Sequence, residues 1–315
     1  MKHNILTIGI LSAIFGTACT EKIDIELNEG ENNRLVVEGY ISTDTMQHSV
    51  RLTRSTSYFY NQPATPEKGA IVTISDSEGN VFPLTYDDST GNYLTAPDVY
   101  GVPGRFYTLN IKLKDGEEYE AVDELIAPNT FDTVYYEYTN LQYGVDIGSY
   151  YYWFYTTFTE KPYFDDKYLI YYYFNDTLWN PTFKDVLYAS TASYMDGCGH
   201  FEDVLFCAHD EDSIPHNPHV RCDLVTISIG YYNFVSQLYS ETVGKSGIFD
   251  GPPANVCTNI INKEKDKPNG LGYFSARSYD TYEFDIVNDM KDGKPMTEVP
   301  IAIGMKERRR EGEKD

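Results

Sequence analysis

The segment Phe106-Tyr-Thr-Leu-Asn-Ile-Lys-Leu113 decides the fold class of this 315-residue chain. Its large apolar side chains occupy every second position and polar residues fill the positions between, which is the period of a strand with one buried face. Shorter segments of the same kind precede it, and turn-forming residues separate them: Leu35–Val37, Val50–Leu52 and Ala70–Ile74, with turns at 76–80, 89–92 and 115–116. Short strands at a spacing of about ten residues predict an immunoglobulin-like or transthyretin-like β-sandwich over residues 34–126.

A second β-rich domain is predicted over residues 130–303, after a break at Ala127-Pro-Asn129. Three segments read as strands: Tyr150–Phe158, Tyr168–Phe174 and Leu224–Ile229. Residues 231–243 predict one helix, because apolar positions recur at helical spacing and Gly244 can cap its end. The chain is therefore expected to be mostly β with one helix. The charged residues 304–315 are expected to be disordered.

The aromatic composition has two interpretations. The chain contains 29 Tyr and 16 Phe but two Trp. Rings in the strands 150–158 and 171–174 can stack on a sugar or another planar ligand. Packing in the core and in cross-strand pairs is the simpler explanation of both runs.

The N-terminus predicts export and lipidation. Lys2 precedes an apolar run over residues 5–15, which is too short to span a membrane but has the length of a signal-peptide core. The small residues 16–18 and then Cys19 resemble a lipobox, although Gly16 stands where Leu is usual. We expect a signal peptide over 1–18, a lipid on Cys19 and an acidic tether over 19–33. Cleavage that leaves Cys19 unmodified is the alternative. No later segment reads as a transmembrane helix, so any membrane attachment rests on the lipid.

The charge of the chain argues against several partners. Its net charge is −23, and removal of residues 1–18 takes away one Lys and no acidic residue. So acidic a surface disfavours nucleic acid and electrostatic docking on anionic lipid. A solvated acidic surface is the simplest interpretation, and attraction of a cationic or metal-bearing ligand is the alternative.

Cysteine and histidine are concentrated in one segment. Residues 198–222 contain Cys198, His200, Cys207, His209, His216, His219 and Cys222, and Cys257 follows. In an oxidising compartment the four cysteines most simply form two disulfides, with three connectivities open. The other interpretation is a site for a transition metal, or for a metal-bearing ligand, on the four histidines. The spacing matches no standard zinc module, and a solvated loop position is the simplest role for each histidine taken alone.

An ordered series of motifs resembles a known family. The series comprises Leu35-Val-Val-Glu-Gly39, Val50-Arg-Leu-Thr-Arg54, Gly69–Ile74, Gly101–Leu109, Asn259-Ile-Ile261 and Gly270-Leu-Gly-Tyr-Phe274. With the lipobox, it resembles the Bacteroidota lipoprotein family called domain of unknown function 4249, from about residue 19 to 285. The two glycines at 270 and 272 indicate a turn or close packing, since their spacing does not fit a nucleotide fingerprint.

The resemblance implies an accessory role in nutrient import. Members of that family look like partners of TonB-dependent outer-membrane β-barrel receptors, and no catalytic residue carries over. We therefore expect a non-catalytic outer-membrane lipoprotein, on the periplasmic or the cell-surface side, that captures an unknown small ligand. No cofactor is expected apart from the metal alternative. The rival hypotheses are a structural or adhesive surface lipoprotein without a small ligand, and a hydrolase whose site carries no recognised motif.

Overall fold

The structure is a computed structural model. It describes residues 33–55, 64–142, 145–159, 167–179, 187–190, 200–209, 217–242, 256–286, 290–291 and 294–295. The predicted signal peptide, the predicted tail and all of the predicted tether except residue 33 lie outside the described residues. Those three predictions therefore stay predictions.

Seven strands are described before residue 127. They are β1 (Leu35–Ser42), β2 (Ser49–Arg54), β3 (Ile71–Asp76), β4 (Val81–Asp87), β5 (Asn92–Leu94), β6 (Phe106–Lys112) and β7 (Glu118–Glu124). The segment that decided the fold class is β6, and its alternate side chains are buried as predicted.

Eleven more strands and one helix are described after residue 127. They are β8 (Phe131–Gln142), β9 (Val145–Thr159), β10 (Lys167–Phe174), β11 (Thr177–Leu178), β12 (Leu187–Ser190), β13 (His200–His209), β14 (His219–Ile227), α1 (Ile229–Thr242), β15 (Ile261–Asn262), β16 (Leu271–Asp285), β17 (Met290–Lys291) and β18 (Lys294–Pro295). The prediction of a mostly β chain with one helix is confirmed over the described residues.

One large sheet runs through the molecule in the order β11-β10-β14-β16-β1-β2-β5-β4-β3-β6-β7-β15, with β12 also paired to β10. The sheet folds over at β4, whose first residues pair with β3 and whose last residues pair with β5. Strands on both sides of this fold, such as β1 and β6, contribute to one apolar core. This arrangement is consistent with the predicted sandwich.

Strand β16 joins the two halves of the chain. Its first half pairs in parallel with β1, and its second half pairs antiparallel with β14. Ile260, Phe274 and Ala276 therefore belong to the first core, together with residues from β1 to β7. The first core therefore contains residues from both predicted domains, 34–126 and 130–303, because the C-terminal part of the chain completes it.

A second core lies on one face of β10, β14 and β16, and α1 lies on the other. Tyr168, Ile170, Tyr172 and Phe174 of β10 pack with the sheet β13-β9-β8. Leu169, between them in sequence, packs against Val235 of α1. The opposite faces follow from the two-residue period of a strand. No helix in the described part of the chain is long and apolar enough to cross a membrane.

The Asn259 side chain links β16 to β7, because its amide group makes hydrogen bonds of the kind that a neighbouring strand would make. Its Oδ1 accepts a hydrogen bond from the Phe274 N–H at 3.1 Å, and its Nδ2 donates to the Phe274 carbonyl at 2.8 Å. The same Nδ2 lies 3.1 Å from the Val122 carbonyl of β7, to which it also donates. This residue of the Asn259-Ile-Ile261 motif therefore acts in the framework.

Gly272 is required where β16 meets β1. Its φ is +84°, a region that L side chains rarely adopt, and a Cβ at this position would collide with the Val37 carbonyl oxygen. The interpretation of the Gly270-Leu-Gly272 segment as a backbone requirement is supported by this close approach.

We predict that Gly272→Ala destabilises the fold severely. The left-handed conformation alone costs a non-glycine residue about 1–2 kcal/mol, and the collision with Val37 adds to that cost. We expect the free energy of unfolding, measured by urea denaturation, to fall by about 3 kcal/mol or more. Gly79 is the matched control, because its φ is +88° and a Cβ there meets nothing within 4 Å. Equal losses in Gly79→Ala and Gly272→Ala would show that the β1–β16 contact carries no special constraint.

Candidate functional site

Tyrosine and arginine side chains collect on the sheet face that carries α1. The register places Tyr171 beside Asp223 and Tyr173 beside Arg221, and it places Ser42 of β1 beside Arg277. We call this surface the tyrosine–arginine face and define it by Tyr40, Tyr171, Tyr173, Arg221, Asp223, Arg277 and Tyr279. Its residues come from four strands, and all of them except the buried Asp223 are partly exposed.

Arg277 is held between two aromatic rings. Its Cζ lies 4.6 Å from the ring centroid of Tyr40 and 4.7 Å from that of Tyr231 on α1. Its Nη2 donates to the Tyr231 hydroxyl at 2.8 Å, and its Nε donates to the Ser275 hydroxyl at 2.8 Å. Stacking and hydrogen bonding together fix this guanidinium and dock the start of the helix on the sheet.

Arg221 is less completely paired. Its Cζ lies 3.7 Å from the Tyr173 ring centroid, so the guanidinium rests on that ring. The nearest described carboxylate oxygens belong to Asp223, at 3.5 Å, and to the exposed Asp176, at 3.8 Å. The buried Nε has no hydrogen-bond partner among the described residues. A guanidinium has five N–H donors, and because Nε is buried, the donors that Arg221 can offer to a ligand are the four on its Nη atoms, on a side chain that is 30% exposed.

Asp223 is a buried carboxylate beside Arg221. Burial raises its pKa to about 6, against the weaker opposing effects of Arg221 and of the hydrogen bond from Thr281. The Thr281 hydroxyl donates to Oδ1 at 2.9 Å, the one hydrogen bond that Asp223 accepts from described residues. The carboxylates of Asp44 and Glu283 raise the same pKa further. Perturbed carboxylates of this kind are typical of functional sites.

The aromatic residues of β10 divide between the two faces of the sheet. Their neighbours Tyr172 and Phe174 are core residues, as the simpler interpretation predicted, whereas Tyr171 and Tyr173 lie on the tyrosine–arginine face. Burial raises the pKa of Tyr171 to about 12, so its hydroxyl is protonated at neutral pH.

The structure separates the predicted histidines. His200 and His209 are the first and last residues of the ten-residue strand β13, and the nine steps between their backbone positions span about 30 Å. One metal ion cannot contact both. His216 lies outside the described residues, and His219 is exposed, with its Nδ1 2.9 Å from Asp285 Oδ1. A metal site on a subset of these histidines stays a prediction.

The candidate cysteines are also dispersed. Cys222 is fully buried in the second core and Cys257 is exposed, and both carry free thiols. Cys207 lies in β13, with its backbone paired to Trp153, whereas Cys198 and the lipidation candidate Cys19 lie outside the described residues. The structure therefore does not contain the two predicted disulfides, and a Cys198–Cys207 bond stays a prediction.

No group of three His, Cys, Asp or Glu in the described ranges is placed to hold a metal ion. A cavity of about 470 Å³ lies elsewhere, between β4 and residues 96–102. Its charged pair is already satisfied, because Asp76 accepts hydrogen bonds from Arg105 at 2.7 Å and from Asn80 at 2.8 Å. The tyrosine–arginine face is the stronger candidate, since Arg221 and Asp223 have hydrogen-bonding capacity to spare.

Sequence reasoning singled out neither arginine. The signal was present in part, because alternation within Tyr168–Phe174 assigns Tyr171 and Tyr173 to the face opposite the core. Arg221 lies within the His/Cys-rich segment 198–222, where the cysteines and histidines carried the interpretation, and Arg277 lies in an unrecognised strand, so neither stood out. What the site can do chemically is bind, with aromatic faces, guanidinium donors and a carboxylate acceptor on a rigid sheet.

We predict that Asp223→Asn stabilises the protein at alkaline pH. The folded pKa of about 6 lies above the usual value of 3.8, so the folded state holds this proton more tightly than the unfolded state. The cost of the buried charge is therefore fully present above pH 6 and is relieved as the pH falls toward 3.8. In urea denaturation at pH 8 we expect Asp223→Asn to gain about 1–3 kcal/mol, and no gain at pH 4.

Asp87→Asn is the comparison variant, because its expected effect on the free energy of unfolding at pH 8 has the opposite sign. Hydrogen bonds from the Ser89 and Thr90 hydroxyls lower the pKa of Asp87 to about 2. That substitution should therefore weaken the fold at pH 8. A pH-independent effect of Asp223→Asn would mean that burial of the charge is not the cause.

The comparison with known families gives one match. The family model described as Domain of unknown function (DUF4249) matches residues 20–283. The comparison with curated proteins gives no match. The matched span includes the first core, all of the second core except Phe284 and Ile286, and every residue of the tyrosine–arginine face. The chain therefore belongs to the family of domain of unknown function DUF4249.

Proposed function

We propose that this protein is a non-catalytic lipoprotein of the bacterial outer membrane that captures a ligand and passes it to a TonB-dependent β-barrel receptor. The observation that carries the proposal is the tyrosine–arginine face. Its donors and acceptor are fixed by strand pairing and ring stacking, the preorganisation that binding sites need. The chemistry of the face is that of recognition, because its charged groups are stacked or hydrogen-bonded into the sheet.

The N-terminal sequence supports the location. An apolar core of signal-peptide length and the small residues before Cys19 are the pattern of exported lipoproteins. The acidic stretch after Cys19 then provides a hydrophilic tether between the lipid and β1. A lipid anchor of this kind holds a binding domain beside a membrane receptor without any transmembrane helix.

The receptor partner is an expectation from the family resemblance, and the charge is compatible with it. A net charge of −23 keeps the domain soluble beside the membrane and disfavours adsorption to anionic lipid headgroups. A partner held by the tether remains at high effective concentration near the receptor.

We predict that Cys19 is the lipidated residue. Cells that express the full chain and are fed an alkyne-labelled fatty acid should give a labelled protein in the membrane fraction. Cys19→Ala should lose the label and leave that fraction. The matched control is Cys257→Ala, because Cys257 is an exposed free cysteine far from the predicted lipobox in sequence. Membrane fractionation of unlabelled Cys19→Ala would refute the lipid anchor.

We predict that the protein forms a stoichiometric complex with one β-barrel receptor. The full chain, tagged after Asp315 and extracted from membranes in mild detergent, should co-elute in size exclusion with a barrel that carries a plug domain and a TonB-contacting segment. Mass spectrometry identifies the barrel. Elution without any barrel, combined with adhesion of the cells to host or matrix proteins, would favour the structural hypothesis.

A further inference from the structure

We propose that the tyrosine–arginine face binds a neutral carbohydrate, with Arg221 and Asp223 hydrogen-bonding to ring hydroxyls and Tyr171 and Tyr173 contacting the sugar. The inference deepens the proposed function and rests on it only for the biological role of the ligand. Binding of the sugar itself depends on the geometry of the face alone.

The unused hydrogen-bonding capacity identifies the chemistry. Arg221 offers the N–H donors of its Nη atoms on a side chain that is 30% exposed, whereas its Nε is buried and lies 3.5 Å from Asp223 Oδ1. Asp223, 3.5 Å away, accepts a single hydrogen bond from those residues, from Thr281. A ligand that fits both groups must accept a hydrogen bond from Arg221 and donate a hydrogen bond to Asp223. A pair of neighbouring sugar hydroxyls does this, because each hydroxyl is both a donor and an acceptor.

The charges around Arg221 exclude the simpler ligands. An anion would gain from Arg221 but would meet the carboxylates of Asp223 and Asp176 within 4 Å of the same guanidinium. A cation that binds Asp223 would meet the Arg221 guanidinium, whose Nε lies 3.5 Å from that carboxylate. Burial of either ion beside a like charge is costly. A neutral ligand that bridges the two signs avoids both repulsions.

The tyrosines supply the apolar part of the contact. Tyr171 and Tyr173 are partly exposed and alternate with residues of the second core, so both rings lie on the face of β10 that carries α1. Tyr171 packs there against the apolar cluster that includes Val235 of α1. Tyrosine combines a flat apolar ring with a hydroxyl, which suits a ligand with C–H faces and polar edges. Tyr173 is held in place by the stacked Arg221, so little side-chain entropy is lost on binding.

The test is native gel electrophoresis of the full chain, purified in mild detergent, through gels that contain one polymer each. The neutral probes are amylopectin, arabinoxylan, galactomannan, laminarin and yeast mannan. The comparison probes are polygalacturonate, an anionic polysaccharide, and gelatin, a polypeptide. The acidic chain migrates toward the anode, so binding appears as retardation. We expect at least one neutral polysaccharide to retard the protein and the two comparison polymers to leave it unretarded.

Two substitutions locate the binding. Arg221→Lys keeps the charge but loses the fork of donors, and Asp223→Asn removes the carboxylate acceptor. Each should weaken binding by about tenfold or more, the size expected when a hydrogen bond to a charged group is lost. Asp223→Asn is the decisive variant once urea denaturation at the pH of the gel shows it to be at least as stable as the native chain, because unfolding then cannot explain a loss.

Two matched variants should bind as the native chain does. Arg51→Lys changes an exposed arginine on β2 that lies 3.8 Å from Glu38. Asp87→Asn changes a carboxylate at the turn between β4 and β5. Retardation by a neutral polysaccharide that both face variants lose and both controls keep supports the proposal.

Three results would overturn it: retardation by none of the neutral polymers, retardation only by polygalacturonate or gelatin, or retardation that Arg221→Lys and Asp223→Asn leave unchanged. The failure of the proposed function is a separate result. A protein that binds the sugar but elutes without a barrel retains the carbohydrate site and loses the receptor partner.

Discussion

The parallel pairing of β1 with β16 is the constraint on which the rest of the structure depends. It joins residues from opposite ends of the folded chain and is possible because Gly272 approaches Val37 without a Cβ. Side-chain hydrogen bonds then fasten β16 to β7: Asn259 bonds to both strands, and Asp123 accepts from the Ala276 N–H at 2.8 Å. These contacts close the first core, and the second half of β16 contributes Tyr282 and Phe284 to the second core.

The same strand also creates the candidate site. Phe274 and Ala276 point into the first core, and Arg277 and Tyr279 point to the helix side. Burial raises the pKa of both Asp123 and Asp223 to about 6, so the native protein keeps two charges at neutral pH that disfavour its folded state. Asp123 uses its carboxylate in the framework, where it accepts from the Ala276 N–H, whereas Asp223 lies in the candidate site beside Arg221.

Local periodicity predicted the elements whose two faces differ in polarity. β6 alternates clearly, whereas β10 was predicted from its run of aromatic and branched side chains, and the helix predicted over 231–243 is present as α1. β16 was not predicted as a strand, because polar residues stand among those on its core side. The Ser278 hydroxyl donates to the Ile126 carbonyl at 2.7 Å, and Asp280 accepts from the Phe131 N–H at 2.7 Å. Their partners lie far away in sequence, so the alternation that marks a strand is interrupted.

The sequence by itself determined the mostly β class, the position of the helix and the family, because these follow from local periodicity and from the order of short motifs. Only the tertiary structure decided that Tyr171, Arg221 and Arg277 share one face, and that His200 and His209 lie at opposite ends of one strand. Alternation assigns a side chain to one face of its own strand. Which strands become neighbours, and in what register, is set by packing between residues distant in the chain.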